Sequence, residues 1–71
     1  MHPLAFLEVY MIRVMVNGAG GKMGREVVKA VHNDPELTLV GGIDPTKAGQ
    51  DVGSVAGIEQ LGITMNASID E

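Results

Sequence analysis

The sequence predicts an α/β fold with a parallel sheet, and three observations carry that expectation. An apolar run, Ile12-Arg13-Val14-Met15-Val16, leads into the glycine-rich stretch Asn17-Gly18-Ala19-Gly20-Gly21-Lys22-Met23-Gly24. An amphipathic run, Arg25 to Val31, leads out of it. A second apolar run, Leu37 to Ile43, follows a short polar linker and ends at an acid, Asp44. Strand, glycine turn, helix and strand in that order form a βαβ unit with parallel strands and a right-handed crossover.

The first strand alternates Ile12, Val14 and Val16 with Arg13, Met15 and Asn17. Its β-branched residues suit a buried strand, and Met15 makes the second face largely apolar as well, as in sheets covered on both sides. Asn17 ends the strand, where its side chain is placed to bond the turn backbone.

In the turn, Gly18 suits the sharp change of direction because it adopts angles that a Cβ forbids. Gly20 and Gly21 are the candidates for close approach of a ligand phosphate to the backbone. Gly24, one turn into the helix, is the candidate for close helix–strand packing. A helix N-terminus offers unpaired N–H groups and a partial positive charge, so the ligand this turn suits is a diphosphate. Lys22 and Arg25 are candidate cations beside it. The candidate cofactor-binding residues here are Gly18, Ala19, Gly20, Gly21, Lys22, Met23 and Gly24.

The spacing is Gly-x-x-Gly-x-x-Gly through Gly18, Gly21 and Gly24; the Gly-x-Gly-x-x-Gly form would need glycine at Met23. A phosphate-binding P-loop is excluded, because Gly24-Arg25-Glu26 lacks both its lysine and its magnesium-binding hydroxyl. Nucleoside triphosphate hydrolysis is thereby disfavoured.

The helix is expected over Lys22 to His32, with Met23, Val27, Ala30 and Val31 on one face. Met23 reads as core more than as a cofactor contact. Glu26 and Lys29 are spaced to pair one turn apart. His32 and Asn33 close the helix, and Pro35 prevents its continuation. His32 reads as an ordinary helix-end residue.

In the second strand, Leu37 to Ile43, Gly41 and Gly42 mark either a bulge or the close passage of another group. Asp44 stands at its carboxyl edge, about twenty residues past the last glycine, the interval at which dinucleotide-binding folds place an acid for the ribose hydroxyls. An acid there favours NADH over NADPH, and Lys47 is positioned to offset that repulsion. The plainer readings are a turn acid before Pro45 and a solvated loop lysine. Both residues join the candidate site, with NADH or NADPH as the cofactor.

Ala48 to Gly57 is a loop of small residues with a helical turn through Asp51–Val55. Gly62-Ile63-Thr64-Met65 is a candidate third parallel strand, followed by a turn at Asn66-Ala67-Ser68 in which Ser68 or Asp70 is placed to cap a further helix. The expected architecture is thus a Rossmann-like parallel sheet, one βαβ unit plus a third strand, truncated: residues 1–10 an N-terminal extension, residues 11–71 a partial dinucleotide-binding domain, and no substrate domain.

Composition narrows the function. The 71 residues allow one small domain. A chain of this size buries only about 60% of its extended surface. There is no cysteine, hence no disulfide or thiolate metal site. The net charge of −4 argues against a general nucleic-acid partner. No apolar run approaches the about eighteen residues of a membrane span. The stretch Leu4–Leu7 resembles a signal-peptide core but lacks a basic lead-in and is followed by Glu8, so a cytoplasmic location is expected. Met11 is a candidate natural start.

The run Val14-Met15-Val16-Asn17-Gly18-Ala19-Gly20-Gly21-Lys22-Met23-Gly24-Arg25 resembles the N-terminus of the dihydrodipicolinate reductases, enzymes of lysine and diaminopimelate synthesis. The likeness continues through Leu39-Val40-Gly41-Gly42-Ile43-Asp44 and Gly49-Gln50-Asp51-Val52-Gly53. It implies a cytoplasmic, homotetrameric enzyme that passes hydride from NADH or NADPH to a cyclic unsaturated dicarboxylate. In that reading Gly18 through Met23 cradle the diphosphate and Asp44 holds the adenosine ribose. Many relatives follow that acid with arginine, where this chain has Pro45. The histidine pair, lysine proton donor and Ser-Gly-Thr clamp of the family's substrate domain do not occur here, so no catalytic residue carries over. The expected function is the cofactor-binding front of such a reductase, inactive alone. The alternatives are a stand-alone NAD(P)-binding or sensor module, and the N-terminus of another Rossmann dehydrogenase.

Overall fold

The computed structural model describes residues 12–70. The expectations for residues 1–10 as an extension and for Met11 as a start lie outside the described residues. In chain order the elements are β1 (Ile12–Asn17), α1 (Lys22–His32), β2 (Leu37–Ile43), a 3-10 turn (Pro45–Lys47), α2 (Val52–Ala56) and β3 (Met65–Asn66). The strands form one parallel sheet in the order β1-β2-β3. The α/β, Rossmann-like architecture read from the sequence is the one found.

The turn after β1 uses Gly18 at φ 76°, a left-handed conformation that glycine tolerates. Within the described residues Asn17 makes no side-chain bond to this turn; its backbone pairs in register with Ile43 instead.

The inner face of α1 differs from the sequence reading. Val28 is fully buried and Val31 nearly so, whereas Met23 is 80% exposed and Val27 and Ala30 also face outward. The cause lies at Gly24. A Cβ there would overlap the Gly18 carbonyl oxygen, so the helix docks on the turn through its bare backbone. That contact fixes the rotation of the helix. The inward stripe becomes Gly24, Val28 and Val31, spaced as one helical face. Asn33 caps α1, its amide donating to the Lys29 carbonyl while the Asp34 amide donates to that of Val31.

β2 carries a bulge. Val14 pairs with Leu39 but Met15 pairs with Gly41, which leaves Val40 as an extra residue. Beyond it Gly42 occupies a slot in the core: an added Cβ would lie 2.8 Å from Val52 and 3.1 Å from the Ala19 methyl. Gly41 faces the Met15 side chain on the other side of the sheet. The two glycines thus serve a bulge and a close approach together, and the approaching groups are side chains of this chain.

α2 begins at Asp51, whose carboxylate accepts from the Ser54 amide, and ends at Gly57 in the left-handed conformation. β3 is shorter and later than Gly62–Met65. Gly62 is at φ 76°, and the amides of Leu61, Gly62 and Ile63 all donate to Asp51. The segment therefore curls around that carboxylate and joins the sheet only at Met65. No helix forms after Ser68 among the described residues. The core joins Val16, Ala19, Val28, Val52, Ala56 and Met65, so both helices cover one face of the sheet. Met15 and Val40 remain about half exposed. No helix among the described residues is long and apolar enough to cross a membrane.

Candidate functional site

The carboxyl ends of β1 and β2 bring the glycine turn, Asp44 and Lys47 together. The turn is tied to the end of β2 by its own amides: Gly18 and Ala19 both donate to the Ile43 carbonyl, at 2.7 and 3.1 Å. Gly20 donates to Oδ2 of Asp44 at 2.9 Å, and Gly21 donates to the Gly18 carbonyl at 3.0 Å. Four successive N–H groups are thereby engaged within the protein. The next three, on Lys22, Met23 and Gly24, receive no acceptor among the described residues. Gly21 caps the helix without a side chain, and the first turn carries no acid. The leading end of an eleven-residue helix thus presents three unpaired donors and its positive pole. Such a pole suits an anion with several oxygens.

Asp44 is buried, 8% exposed. Its Oδ1 accepts from the Thr46 amide at 2.9 Å and from the Thr46 hydroxyl at 2.7 Å. These bonds hold its carboxyl below the ordinary carboxylate range; the Thr46 hydroxyl acts most strongly, then the Thr46 amide, with smaller help from Gly20 and the Lys47 charge against the opposing effect of burial. The acid is therefore an anion at neutral pH. A carboxylate has roughly four acceptor positions. Three are occupied here, which leaves one on Oδ2 for an outside hydroxyl.

The candidate residues divide by what they contribute. Lys22, Met23 and Gly24 supply the unpaired amides. Gly18 supplies the turn, and its carbonyl is what Gly24 packs on. Ala19 is fully buried and belongs to the core. Gly20 was expected to admit a phosphate, but its missing side chain makes room for this chain's own groups: a Cβ there would lie 2.5 Å from Lys47 Cγ and 2.6 Å from Asp44 Oδ2. At Gly21 a Cβ would meet only the Gly18 oxygen, at an ordinary 3.5 Å. Met23 stands exposed beside the open end of the helix. Lys47 is exposed, with its Cγ lying across Gly20, and Arg25 donates to the Gly21 carbonyl. A groove of about 510 Å³ is lined by both β1 and the start of α1, through Val16, Gly18, Met23, Gly24 and Val27 among others.

Two residues of this region were not singled out in the sequence. Thr46 orients Asp44, and the Asp-Pro-Thr order is the available signal, since Pro45 starts a turn whose second residue bonds back to the acid. Asp51 gathers the loop before β3; its capping relation to Ser54 is visible in the spacing, its longer bonds are not. His32 meets Glu59 at 3.2 Å on the surface, far from the turn.

Residues 12–71 match the family model described as dihydrodipicolinate reductase, N-terminus. The chain is 52% identical over 61 residues to the 4-hydroxy-tetrahydrodipicolinate reductase of Synechocystis sp., covering 83% of this chain and 22% of that protein. It is 53% identical over 60 residues to the enzyme of the same name from Cyanothece sp., covering 82% and 22%. The reductase of Desulfitobacterium hafniense is 42% identical over 59 residues, covering 83% and 22%. The chain spans about a fifth of the length of these relatives, at 22% in each. With an extensive family match and this turn geometry in agreement, the chain belongs to the dihydrodipicolinate reductase family and corresponds to its N-terminal part.

Proposed function

We propose that this chain is the cofactor-holding front of a 4-hydroxy-tetrahydrodipicolinate reductase, with NADH or NADPH as its ligand. The observation that carries the reading is the set of three unpaired amides at Lys22, Met23 and Gly24, one strand away from the ionised Asp44. The diphosphate sits against those amides and the positive pole of α1. The free acceptor position of Asp44 takes a hydroxyl of the adenosine ribose, and Lys47 stands where the 2′-phosphate of NADPH would add negative charge. Gly18, Ala19, Gly20 and Gly21 shape the turn that aims these groups. When bound, the dinucleotide supplies the hydride; the residues of this chain bind and orient it.

In the same proposal residues 11–71 form part of a nucleotide-binding domain within the lysine and diaminopimelate route. The substrate site belongs to sequence that the longer relatives have beyond the matched fifth, so this polypeptide alone binds cofactor without turning over substrate.

Titration of the full chain with NADH, followed by nicotinamide fluorescence and by thermal melting, tests the reading. Saturable binding that raises the melting temperature is expected. No binding at millimolar NADH would overturn it. Turnover of the dicarboxylate substrate above background would overturn the statement that the chain is inactive alone.

A further inference from the structure

Three consecutive amides of the glycine turn are anchored to the last residue of β2 and the residue that follows it. Gly18 and Ala19 hold to the Ile43 carbonyl, and Gly20 holds to the Asp44 carboxylate. The first two anchors are backbone to backbone and do not depend on a side chain. The third does. It is also the last anchor to another strand before α1 begins, because Gly21 bonds only within the turn. Thr46 fixes Oδ1 through two bonds, which turns Oδ2 toward Gly20. Lys47 Cγ closes over the same glycine from outside, in the space a Cβ would fill.

We propose that Asp44 is the positioning residue of the glycine turn as well as the ribose acceptor: its carboxylate clasps Gly20 and thereby sets where the leading amides of α1 stand. This rests on the dinucleotide reading of the site and extends it. The sugar end and the diphosphate end of the site are then one mechanical unit. A change at Asp44 weakens the hold on the diphosphate even for a ligand with no ribose hydroxyl to grip.

Asparagine tests the clasp, because its amide has one accepting oxygen where the carboxylate has two. If that oxygen serves Thr46, the NH₂ group faces the Gly20 N–H, donor against donor. If it serves Gly20, the NH₂ group faces Thr46 and the Thr46 amide loses its acceptor. Neither orientation keeps both sets of bonds.

The experiment compares ADP with 2′,3′-dideoxy-ADP, which keeps the diphosphate and lacks both ribose hydroxyls. Affinities are measured calorimetrically for the full wild-type chain, for Asp44→Asn and for Thr46→Val. For dideoxy-ADP we expect a loss of about tenfold in Asp44→Asn, the size of one charge-assisted bond. A smaller loss is expected in Thr46→Val, where the carboxylate is freed to swing. An unchanged dideoxy-ADP affinity in folded Asp44→Asn overturns the clasp and leaves a ribose grip alone. Should Asp44→Asn fail to fold, Thr46→Val and wild-type amide exchange decide. In the wild-type chain without ligand, the Gly20 amide is expected to exchange more slowly than those of Lys22 and Met23. Equal exchange overturns the proposal. A wild-type chain that binds neither nucleotide overturns the dinucleotide reading itself, while Gly20 protection still reports on the clasp.

Discussion

The Cα of Gly24 lies against the carbonyl oxygen of Gly18 with no space for a side chain between them. This contact joins helix to turn and sets the rotation of α1. It yields a stability prediction with an internal control. Gly24→Ala should destabilise the chain by about 1–3 kcal/mol through overpacking against immobile backbone. Gly21→Ala, where the added methyl meets only an ordinary 3.5 Å contact, should change stability little. Urea denaturation of both variants checks the contrast; equal losses would refute the docking.

Val27 and Val28 are neighbours with opposite fates, the first 41% exposed and the second fully buried. Val28→Ala should cost about 1–3 kcal/mol as transfer and cavity terms combine. Val27→Ala should stay within about 0.5 kcal/mol, as surface changes do. Denaturant midpoints distinguish the two, and a reversed order would mean that α1 is rotated as its apolar pattern alone suggests.

Asp51 accepts five hydrogen bonds from Ser54, Leu61, Gly62 and Ile63, which hold its carboxyl down to about 2. The Ser54 amide contributes most, followed, after the opposing cost of burial, by the amides of Leu61, Ile63 and Gly62. The folded value lies below the unfolded one, so this carboxylate stabilises the fold above pH about 4. That contribution is lost as pH falls through the folded value near 2. Asp51→Asn should therefore be less stable than wild type at neutral pH, and the gap should narrow on acidification. Melting temperatures of both chains between neutral pH and pH about 2 test this; a gap independent of pH would refute it.

Thr46 is the largest influence on Asp44. Thr46→Val removes the hydroxyl donor, so the Asp44 carboxyl should titrate closer to the ordinary 3.8. Carbon NMR of the side-chain carboxyl across the acid range reads the shift, and an unmoved titration would show that the hydroxyl bond is absent in solution.

Lys47→Ala should weaken NADPH more than NADH, by about threefold to tenfold in the ratio of dissociation constants. The effect should shrink with added salt, since Lys47 is an exposed residue. Paired titrations at low and high salt check it, and an unchanged ratio would leave Lys47 as a spacer over Gly20.

The sequence made the order of elements legible because each signal was local. Alternation marked β1, a helical period with Pro35 behind it marked α1, and the glycines marked the turn. The rotation of α1 was not legible. Met23 and Val27 look like core by pattern, and only the Gly18–Gly24 contact turns them outward. The interval after the turn singles out Asp44 as a candidate, yet its bond to Gly20 joins separate elements and leaves no local trace. The late start of β3 has the same origin, since the bonds that delay it converge on Asp51 from ten to twelve residues away.

The supernumerary Val40 has one further effect. Side chains on a strand alternate sides, so inserting a single residue inverts the parity of all that follow. The bulge absorbs that insertion: with Val40 set aside, Gly42 stands opposite Val16 and Ile43 opposite Asn17, whereas regular pairing through Val40 would put Gly41 opposite Val16 and carry Gly42 out of the slot that it fits. The height at which Asp44 leaves the sheet is thus set by how the strand takes up one odd residue four positions upstream.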